Sequence, residues 1–137
     1  MPLETNRSIF FITLGYPGSG KTFFARKFAK DMKLFHLNSD RIRLLIFPNP
    51  KFSSEEHPIV FGAMDYLANE VLKCGVSVIY DANSTLRIYR KCLQQLARKN
   101  NAKYLLLWFQ TPVKTALMRI EKRGKLKSEL DFFPNNK

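Results

Sequence analysis

Residues 8–22 read Ser-Ile-Phe-Phe-Ile-Thr-Leu-Gly-Tyr-Pro-Gly-Ser-Gly-Lys-Thr, an apolar run followed by a glycine-rich motif. Its first half, residues 8–14, is an apolar run of strand length, which suits a strand buried on both faces of a parallel sheet. After the glycines, residues 21–32 place apolar side chains near helical spacing with basic residues between them. The sequence therefore predicts a strand, a glycine-rich loop and a helix in direct succession.

The glycine-rich loop matches the pattern GxxxxGK[ST], which is specific for phosphate binding when it lies between a strand and a helix. Glycines let the backbone N–H groups turn inward, the lysine can reach the β- and γ-phosphates, and the hydroxyl of Thr22 can ligate Mg²⁺. A chance glycine turn before a helix is the alternative interpretation. The residues expected to hold a nucleoside triphosphate are Gly15, Pro17, Gly18, Ser19, Gly20, Lys21 and Thr22.

Strands and helices alternate along the rest of the chain, which predicts right-handed βαβ crossovers and an α/β fold. We expect the three-layer α/β/α arrangement of P-loop NTPases, with a parallel sheet of four or five strands. The length of 137 residues fits a single domain, residues 1–137, with a core at 8–124 and a loosely held tail at 125–137. The predicted strands are 8–14, 34–38, 76–80 and 103–110, and the predicted helices are 21–32, 41–47, 54–74, 84–100 and 111–123.

The details of the helices follow from capping residues and apolar spacing. Ser39 or Asp40 is expected to cap the second helix, and Ser84 or Thr85 to begin the fourth. Gly124 is expected to end the last helix. The side chains expected in the core include Phe23, Ala25, Phe28 and Ala29 of the first helix, Cys92, Leu93, Leu96 and Ala97 of the fourth, and Trp108 of the last strand.

An acidic and a basic residue follow the second predicted strand. Asp40 comes directly after it, and Arg43 lies three residues further on the same helical face. Both can point toward the carboxyl edge of the sheet, where doubly wound folds bind ligands. There the aspartate can accept the proton of an attacking hydroxyl, and the arginine can steady an anionic acceptor or the transferring phosphoryl group. The alternative interpretation is a helix-capping aspartate with a surface arginine.

Two further sites follow from position along the chain. Asp81, with Asn83 two residues later, follows an apolar strand, where a carboxylate can hold Mg²⁺ directly or through water. Turn chemistry alone is the alternative for this pair. Arg119 and Arg123 share one face of the last helix, from which a mobile lid can bring guanidinium groups onto a triphosphate. The alternative is a solvated helix end, and the two histidines, His36 and His57, are interpreted as structural.

The formal net charge is +12, from 23 Lys and Arg against 11 Asp and Glu, so the surface attracts polyanions such as nucleotides, nucleic acid or acidic lipid. Solvated helix faces explain much of this charge equally well. The two cysteines are isolated, which favours neither a structural metal nor a disulfide framework. With no signal-peptide pattern and no apolar run near ~20 residues, we expect a cytoplasmic protein without a membrane partner.

The segments GYPGSGKT, NSDRIR, VIYDANSTLRIYR and WFQTPVKTALMRIEKR together resemble the polynucleotide-kinase-like and zeta-toxin-like group of P-loop kinases, of the AAA-domain type. The resemblance covers roughly residues 8–124. It implies that Asp40 is the general base toward the acceptor hydroxyl and that Arg43 binds the acceptor phosphate or neutralises the reaction centre. Related kinases continue into another strand whose following loop helps to hold the adenine, and on this comparison the fold is expected to be short at its C-terminus.

The resemblance also implies roles for the remaining motif residues. Lys21 and Thr22 match the phosphate-binding lysine and the metal-binding hydroxyl, and Asp81 with Asn83 matches an Asp-x-Asn pair. Arg119 and Arg123 are similar to lid arginines. The cofactors implied are ATP and Mg²⁺.

The expected function is therefore an ATP-dependent kinase that transfers the γ-phosphoryl group to a hydroxyl acceptor. A nucleic-acid 5′ end, a nucleotide sugar or another small metabolite fits the motifs as acceptor. One alternative is a nucleotide-binding module that does not phosphorylate its partner. A simple NTPase that transfers to water is a further alternative, which the position of Asp40 disfavours.

Overall fold

A computed structural model of the chain describes residues 7–123, and within them a four-stranded parallel sheet carries helices on both faces. The strands and helices follow in the predicted order, including the two helices, α2 and α3, between the second and third strands. The elements are β1 (Ile9–Leu14), α1 (Lys21–Met32), β2 (Phe35–Asn38), α2 (Ser39–Ile46), α3 (Glu56–Lys73), β3 (Val78–Asp81), α4 (Arg87–Lys99), β4 (Lys103–Trp108) and α5 (Val113–Arg123).

The strand order is β2-β3-β1-β4, so β3 lies between the first two strands of the sequence. Asn38, the last residue of β2, pairs in register with Asp81, the last residue of β3. Strand β1 pairs with β3 on one side and with β4 on the other. Because all pairs are parallel, the loops after β1, β2 and β3 leave the same edge of the sheet. The α/β fold class predicted from the sequence is confirmed, with four strands in residues 7–123.

Alternate residues of the buried strands face two different helical layers, as the period of two along a strand requires. On one face, Phe10 and Ile12 of β1 join the buried side chains of α3 and α4 in a single apolar cluster. On the other face, Phe11 and Ile79 pack against Ala25 and Ala29 of α1, with Phe28 partly buried beside them. These two clusters form the core on the two faces of the sheet, and they hold the strands whose carboxyl ends carry the loops.

Three side chains expected in the core lie at the surface instead. Phe23 is 77% exposed because Ala25 and Ala29 define the buried stripe of α1, and position 23 lies away from it. Cys92 is exposed beside the buried Leu93 of α4. Trp108 is 65% exposed because β4 is the edge strand of the described sheet. The apolar spacing predicts the helices and the strand correctly, but it does not show which side of each element packs against a neighbour.

The predicted helix starts also differ from the observed ones. Asn38, rather than Ser39 or Asp40, caps α2, since its side-chain oxygen accepts from the N–H of Arg41 at 2.9 Å. Helix α4 begins at Arg87, and neither Ser84 nor Thr85 caps it. The predicted helix end at Gly124 and the predicted tail at 125–137 lie outside the described residues. No helix in the described part is long and apolar enough to cross a membrane.

Candidate active site

The glycine-rich loop between β1 and α1 has a backbone that only glycine adopts easily. Gly18 and Gly20 have φ values of 80° and 98°, in the region that L side chains rarely occupy. A Cβ on Gly18 would lie 2.4 Å from the carbonyl oxygen of Ala116 in α5, and a Cβ on Gly15 would lie 2.7 Å from Oγ of Ser19. Gly18 is therefore required both by the turn and by its close approach to α5, whereas a side chain at position 15 would have to displace the Ser19 hydroxyl.

Backbone atoms of the loop are held by three later segments of the chain. The N–H of Gly15 donates to the carbonyl oxygen of Asn83 at 3.1 Å, which ties the loop to the segment after β3. The Thr111 hydroxyl donates to the carbonyl oxygen of Ser19 at 2.7 Å, and Nη1 of Arg119 donates to that of Gly18 at 3.1 Å. Because the bonds from Thr111 and Arg119 are accepted by carbonyl oxygens, they brace the loop and do not engage its N–H groups.

Two polar side chains of the loop are buried where phosphate oxygens would need partners. Lys21, the first residue of α1, is 7% exposed, and its ammonium donates to the carbonyl oxygen of Tyr16 at 2.9 Å. Oγ of Ser19 is buried and has no hydrogen-bond partner in the described structure. A buried hydroxyl without a partner carries a free-energy cost that a bound polar group removes. The loop therefore fits a phosphate chain by shape and by donors.

The ends of β2, β3 and the glycine-rich loop meet in a small polar cluster. Nδ2 of Asn38 donates to Oδ2 of Asp81 at 2.8 Å and lies 3.3 Å from Oγ1 of Thr22. Burial raises the pKa of Asp81, which is 1% exposed, but hydrogen bonds from His36, Asn38 and Thr22 outweigh burial and lower the pKa below its usual range. An ionised carboxylate beside a threonine hydroxyl is an oxygen-rich donor set that suits Mg²⁺.

Asp40 lies in the first turn of α2, two residues after the end of β2 and at the same edge of the sheet. Its side chain is partly buried. The strand next to β2 ends in Asp81, and the strand beyond that leads into the glycine-rich loop. In the order of the sheet, one strand, β3, therefore lies between the strand that leads to Asp40 and the strand that leads to Lys21.

Arg43 is buried, at 3% exposure, among side chains of α2, α3 and the segment between them. Its Nη1 donates to Oε1 of Glu56 at 2.8 Å, and its Nη2 donates to Nδ1 of His57 at 2.7 Å. Its guanidinium also lies 4.7 Å from the ring centroid of Phe52. The structure therefore places this arginine in an ion pair that joins α2 to α3, whereas the sequence predicts an anionic acceptor or the transferring phosphoryl group as its partner.

The two predicted lid arginines differ in what the structure describes of them. Arg119 lies against the loop, through its bond to Gly18, and its Nη1 would be 3.8 Å from a Cβ on Gly20. Arg123 is the last residue of α5, four residues further along the helix, and its side chain is outside the described atoms. Ala116 and Ile120 of α5 form a small buried cluster with Tyr16 of the loop, so α5 packs directly on the loop.

Sequence comparison now identifies the family. A model of the AAA domain family AAA_33 matches residues 10–132, which is most of the chain. The chain belongs to this AAA domain family. The L-seryl-tRNA(Sec) kinase of Methanococcus maripaludis is 32% identical over 120 residues, covering 83% of this AAA domain and 46% of the kinase. This AAA domain thus spans about half the length of that relative.

Solved structures confirm the P-loop kinase fold of the AAA domain. A chain of the Pnkp1/Rnl/Hen1 RNA repair complex has a TM-score of 0.77 at 26% identity, with 94% of this chain and 44% of that chain covered. The APS kinase CysC of Mycobacterium tuberculosis, solved with AMPPNP and APS, has a TM-score of 0.71 at 19% identity, with 93% and 77% covered. The predicted resemblance to the polynucleotide-kinase-like group is confirmed.

Sequence reasoning missed two polar residues at the site of this AAA domain. The sequence predicts Asn38 only as the end of a strand, and the structure shows that it also contacts Thr22, Asp81 and the start of α2. The sequence gives no partner for His36, and the structure places its Nε2 2.9 Å from Oδ2 of Asp81. Their spacing along β2 could have indicated a shared site, because residues 36 and 38 lie on the same face of a strand. Asn38 is the last residue of β2 and pairs with Asp81, the last residue of the neighbouring strand.

Proposed function

We propose that this AAA domain is an ATP- and Mg²⁺-dependent kinase that transfers the γ-phosphoryl group to a hydroxyl acceptor. The observation that carries the proposal is the shared sheet edge, where the glycine-rich loop, the Thr22–Asp81 pair and Asp40 follow three adjacent strands. Nucleotide, metal and general base are then arranged in the order that phosphoryl transfer to a bound hydroxyl requires. The names of the tRNA kinase and APS kinase relatives support this reaction class.

In the proposed reaction, Asp40 accepts the proton of the acceptor hydroxyl while the oxygen of that hydroxyl bonds to the γ-phosphorus. The bond from that phosphorus to the β–γ bridging oxygen breaks, and ADP leaves with the bridging oxygen. Lys21 exchanges its bond to the Tyr16 carbonyl for the β- and γ-phosphate oxygens, and the loop N–H groups hold the chain of phosphates. These groups stabilise charge that develops on the transferring group.

Thr22 and Asp81 are the proposed ligands of Mg²⁺, the first directly and the second directly or through water. When bound, the metal neutralises charge on the β- and γ-phosphate oxygens and orients them for in-line transfer. The lowered pKa of Asp81 keeps its carboxylate ionised and ready for that role. Asn38 contacts both proposed ligands, since its Nδ2 donates to Oγ1 of Thr22 and to Oδ2 of Asp81.

The three arginines are proposed to act on the phosphoryl groups at different points. Arg119 already contacts the loop and is proposed to bind the triphosphate, and Arg123 is proposed to reach the transferring group from the same helix face. Arg43 is proposed to bind a phosphate of the acceptor. For that role the acceptor phosphate must replace the carboxylate of Glu56 as the partner of the guanidinium.

The acceptor is proposed to be a hydroxyl of a nucleic acid. Helix α4 has five basic residues and no acidic one, and it begins after β3, near the proposed site. Arg87, Lys91 and Arg98 are exposed on one stripe of this helix at helical spacing, where they can contact successive backbone phosphates. A tRNA kinase and an RNA repair complex among the relatives support this acceptor class.

We propose that the protein is located in the cytoplasm, since ATP and free thiols such as Cys74 and Cys92 are maintained there.

A nucleotide-binding module without transferase activity is the second candidate. The buried Arg43–Glu56 ion pair favours it, because this pair occupies the guanidinium that the acceptor would need. Removing a charge partner from such a pair is costly unless another anion takes its place. The two candidates therefore differ in whether an acceptor can compete with Glu56.

The deciding experiment incubates the purified protein with γ-labelled ATP, Mg²⁺ and a panel of acceptors that includes 5′-hydroxyl oligonucleotides, tRNA, a nucleotide sugar and adenosine phosphosulfate. We expect label on a nucleic acid, with kcat reduced by about 10²–10⁴ in Asp40→Asn, the range for loss of a general base. ATP binding, measured by calorimetry, should be retained in Asp40→Asn and lost in Lys21→Ala. Asp31→Asn, an exposed acid at the end of α1, is the matched control.

The outcomes separate the candidates. ATP binding without label on any acceptor would favour the module. Label on the nucleotide sugar alone would keep the kinase and reject the nucleic-acid acceptor. Full activity in Asp40→Asn would reject the general-base assignment while leaving the kinase in place.

A further inference from the structure

His36 lies in β2, beside the carboxylate proposed as a metal ligand. Its Nε2 is 2.9 Å from Oδ2 of Asp81, and the two side chains are 10% and 1% exposed. Asn38, two residues later on the same face of β2, donates to the same oxygen at 2.8 Å. One oxygen of the carboxylate therefore carries two bonds from β2, and Oδ1 carries neither of them.

This arrangement restricts the carboxylate in the way that outer partners of metal ligands do. Two donors from the same strand on one oxygen restrict rotation of the carboxylate about its Cβ–Cγ bond more than a single donor would. The other oxygen then has a defined direction before any metal arrives. Ligating carboxylates commonly have such outer hydrogen bonds, and their loss typically weakens metal affinity by about 10–100-fold.

A histidine packed only for its volume would not need a polar partner at this distance. The ring contributes a donor to a carboxylate that is almost completely buried, so an apolar residue in its place would leave Oδ2 with one donor fewer.

We propose that His36 is a positioning residue for Mg²⁺ binding: with Asn38 it holds Oδ2 of Asp81, so that Oδ1 is directed to a metal shared with the Thr22 hydroxyl. This inference rests on the proposed function, since it takes Asp81 as a ligand of the nucleotide-bound metal.

The test measures metal affinity directly, using Mn²⁺ as the probe and the β,γ-imido analogue of ATP as the nucleotide. Free and bound Mn²⁺ are distinguished by electron paramagnetic resonance for the wild-type protein, His36→Leu, His36→Gln and Asp81→Asn. We expect His36→Leu to weaken Mn²⁺ binding about tenfold. His36→Gln should restore most of the affinity, because its amide nitrogen can donate in place of Nε2. The affinity for the analogue without metal should stay unchanged in both.

A purely structural role predicts a different pattern. If His36→Leu and His36→Gln lowered the melting temperature equally and bound Mn²⁺ equally, the positioning role would be rejected. Wild-type affinity in His36→Leu, together with weak binding in Asp81→Asn, would also reject it and leave the proposed metal site intact. Wild-type affinity in Asp81→Asn would instead overturn the metal site itself. In the kinase assay, His36→Leu should raise the Mg²⁺ concentration for half-maximal rate more than it lowers kcat at saturating Mg²⁺.

Discussion

Gly18 shows how a single residue constrains the glycine-rich loop. Its φ is 80°, and a Cβ at this position would lie 2.4 Å from the Ala116 carbonyl oxygen, which leaves no room for a side chain. We expect Gly18→Ala to weaken ATP binding by about tenfold or more, since strain of about 1–3 kcal/mol must be relieved by moving the loop or α5. Isothermal titration calorimetry with ATP measures this effect.

The matched control is Gly62→Ala, in α3. A Cβ at position 62 meets no atom within 4 Å, and the residue is exposed in a helix. This variant should bind ATP normally and gain about 0.5–1 kcal/mol in free energy of unfolding, because alanine is the better helix former. Equal ATP affinity for Gly18→Ala and Gly62→Ala would contradict the close approach of the loop to α5.

His57 gives the fold a specific dependence on pH. Burial lowers its pKa, and the nearby Arg43 guanidinium lowers it further, while Glu56 has the opposite effect. Between the lowered folded pKa and the unfolded value of about 6.5, the unfolded chain binds more protons, so stability rises with pH in that window. Urea unfolding at pH 5.5 and pH 7.5 should show a smaller difference for His57→Gln than for the wild-type protein. The same difference in both proteins would contradict the lowered pKa.

At the residue scale, the sequence identified most of the candidate site by chemistry and spacing. The glycine-rich loop follows β1, Asp81 ends β3 and Asp40 lies two residues after β2, so their placement at one edge could be predicted from the parallel topology. The partners of Arg43 could not, because Glu56 lies beyond a loop whose path no local pattern specifies. The contact of His36 could not be predicted for the same reason, because its partner, Asp81, lies 45 residues away in the sequence.

At the element scale, β4 differs most from its prediction. Trp108, which the sequence places in the core, is 65% exposed, and Leu105 and Leu106 of the same strand are 44% and 41% exposed. The chain contains one tryptophan, so its fluorescence reports on this strand alone. We expect emission close to that of free tryptophan and efficient quenching by iodide. Blue-shifted emission that resists iodide would show that another segment or a second copy covers the edge.

The existence and order of the elements were easier to predict than their limits. Apolar runs and glycines located every strand and helix between residues 8 and 123, because burial and turns are local signals. The three consecutive polar residues 38–40 can each cap a helix, so the sequence alone did not give the start of α2. The structure shows that Asn38 is the cap, because its side-chain oxygen accepts from the N–H of Arg41. Ser84 has a φ of 54°, so the backbone there is left-handed and precedes the helix rather than entering it.

At the scale of the whole molecule, the charge of +12 predicts salt-sensitive binding to nucleic acid. The exposed basic stripe of α4 is tested by replacing Arg87, Lys91 and Arg98 with glutamine. Three lost phosphate contacts should make the slope of log K against log salt shallower by about 2 for single-stranded RNA, at about 0.7 per contact. Fluorescence anisotropy at several salt concentrations measures this slope.

The control for this variant removes the same charge from the other face of the sheet. Arg26, Lys27 and Lys30 are exposed on α1, which packs against the opposite face from α4. Glutamine at these three positions should leave the slope nearly unchanged. Equal slopes for the two triple variants would show that only net charge matters and that α4 is not the binding face.

The bracing of the glycine-rich loop has a consequence for how the protein is made. The bonds to Ser19 and Gly18 come from residues 92 and 101 positions later in the chain. Contacts of such sequence separation form only after the intervening chain is available, and synthesis delivers the N-terminus first. A ribosome-bound chain that ends before α5 therefore carries the complete glycine motif but lacks part of the bonding that shapes it. The glycine motif is therefore complete in sequence before the residues that hold its backbone have been synthesised.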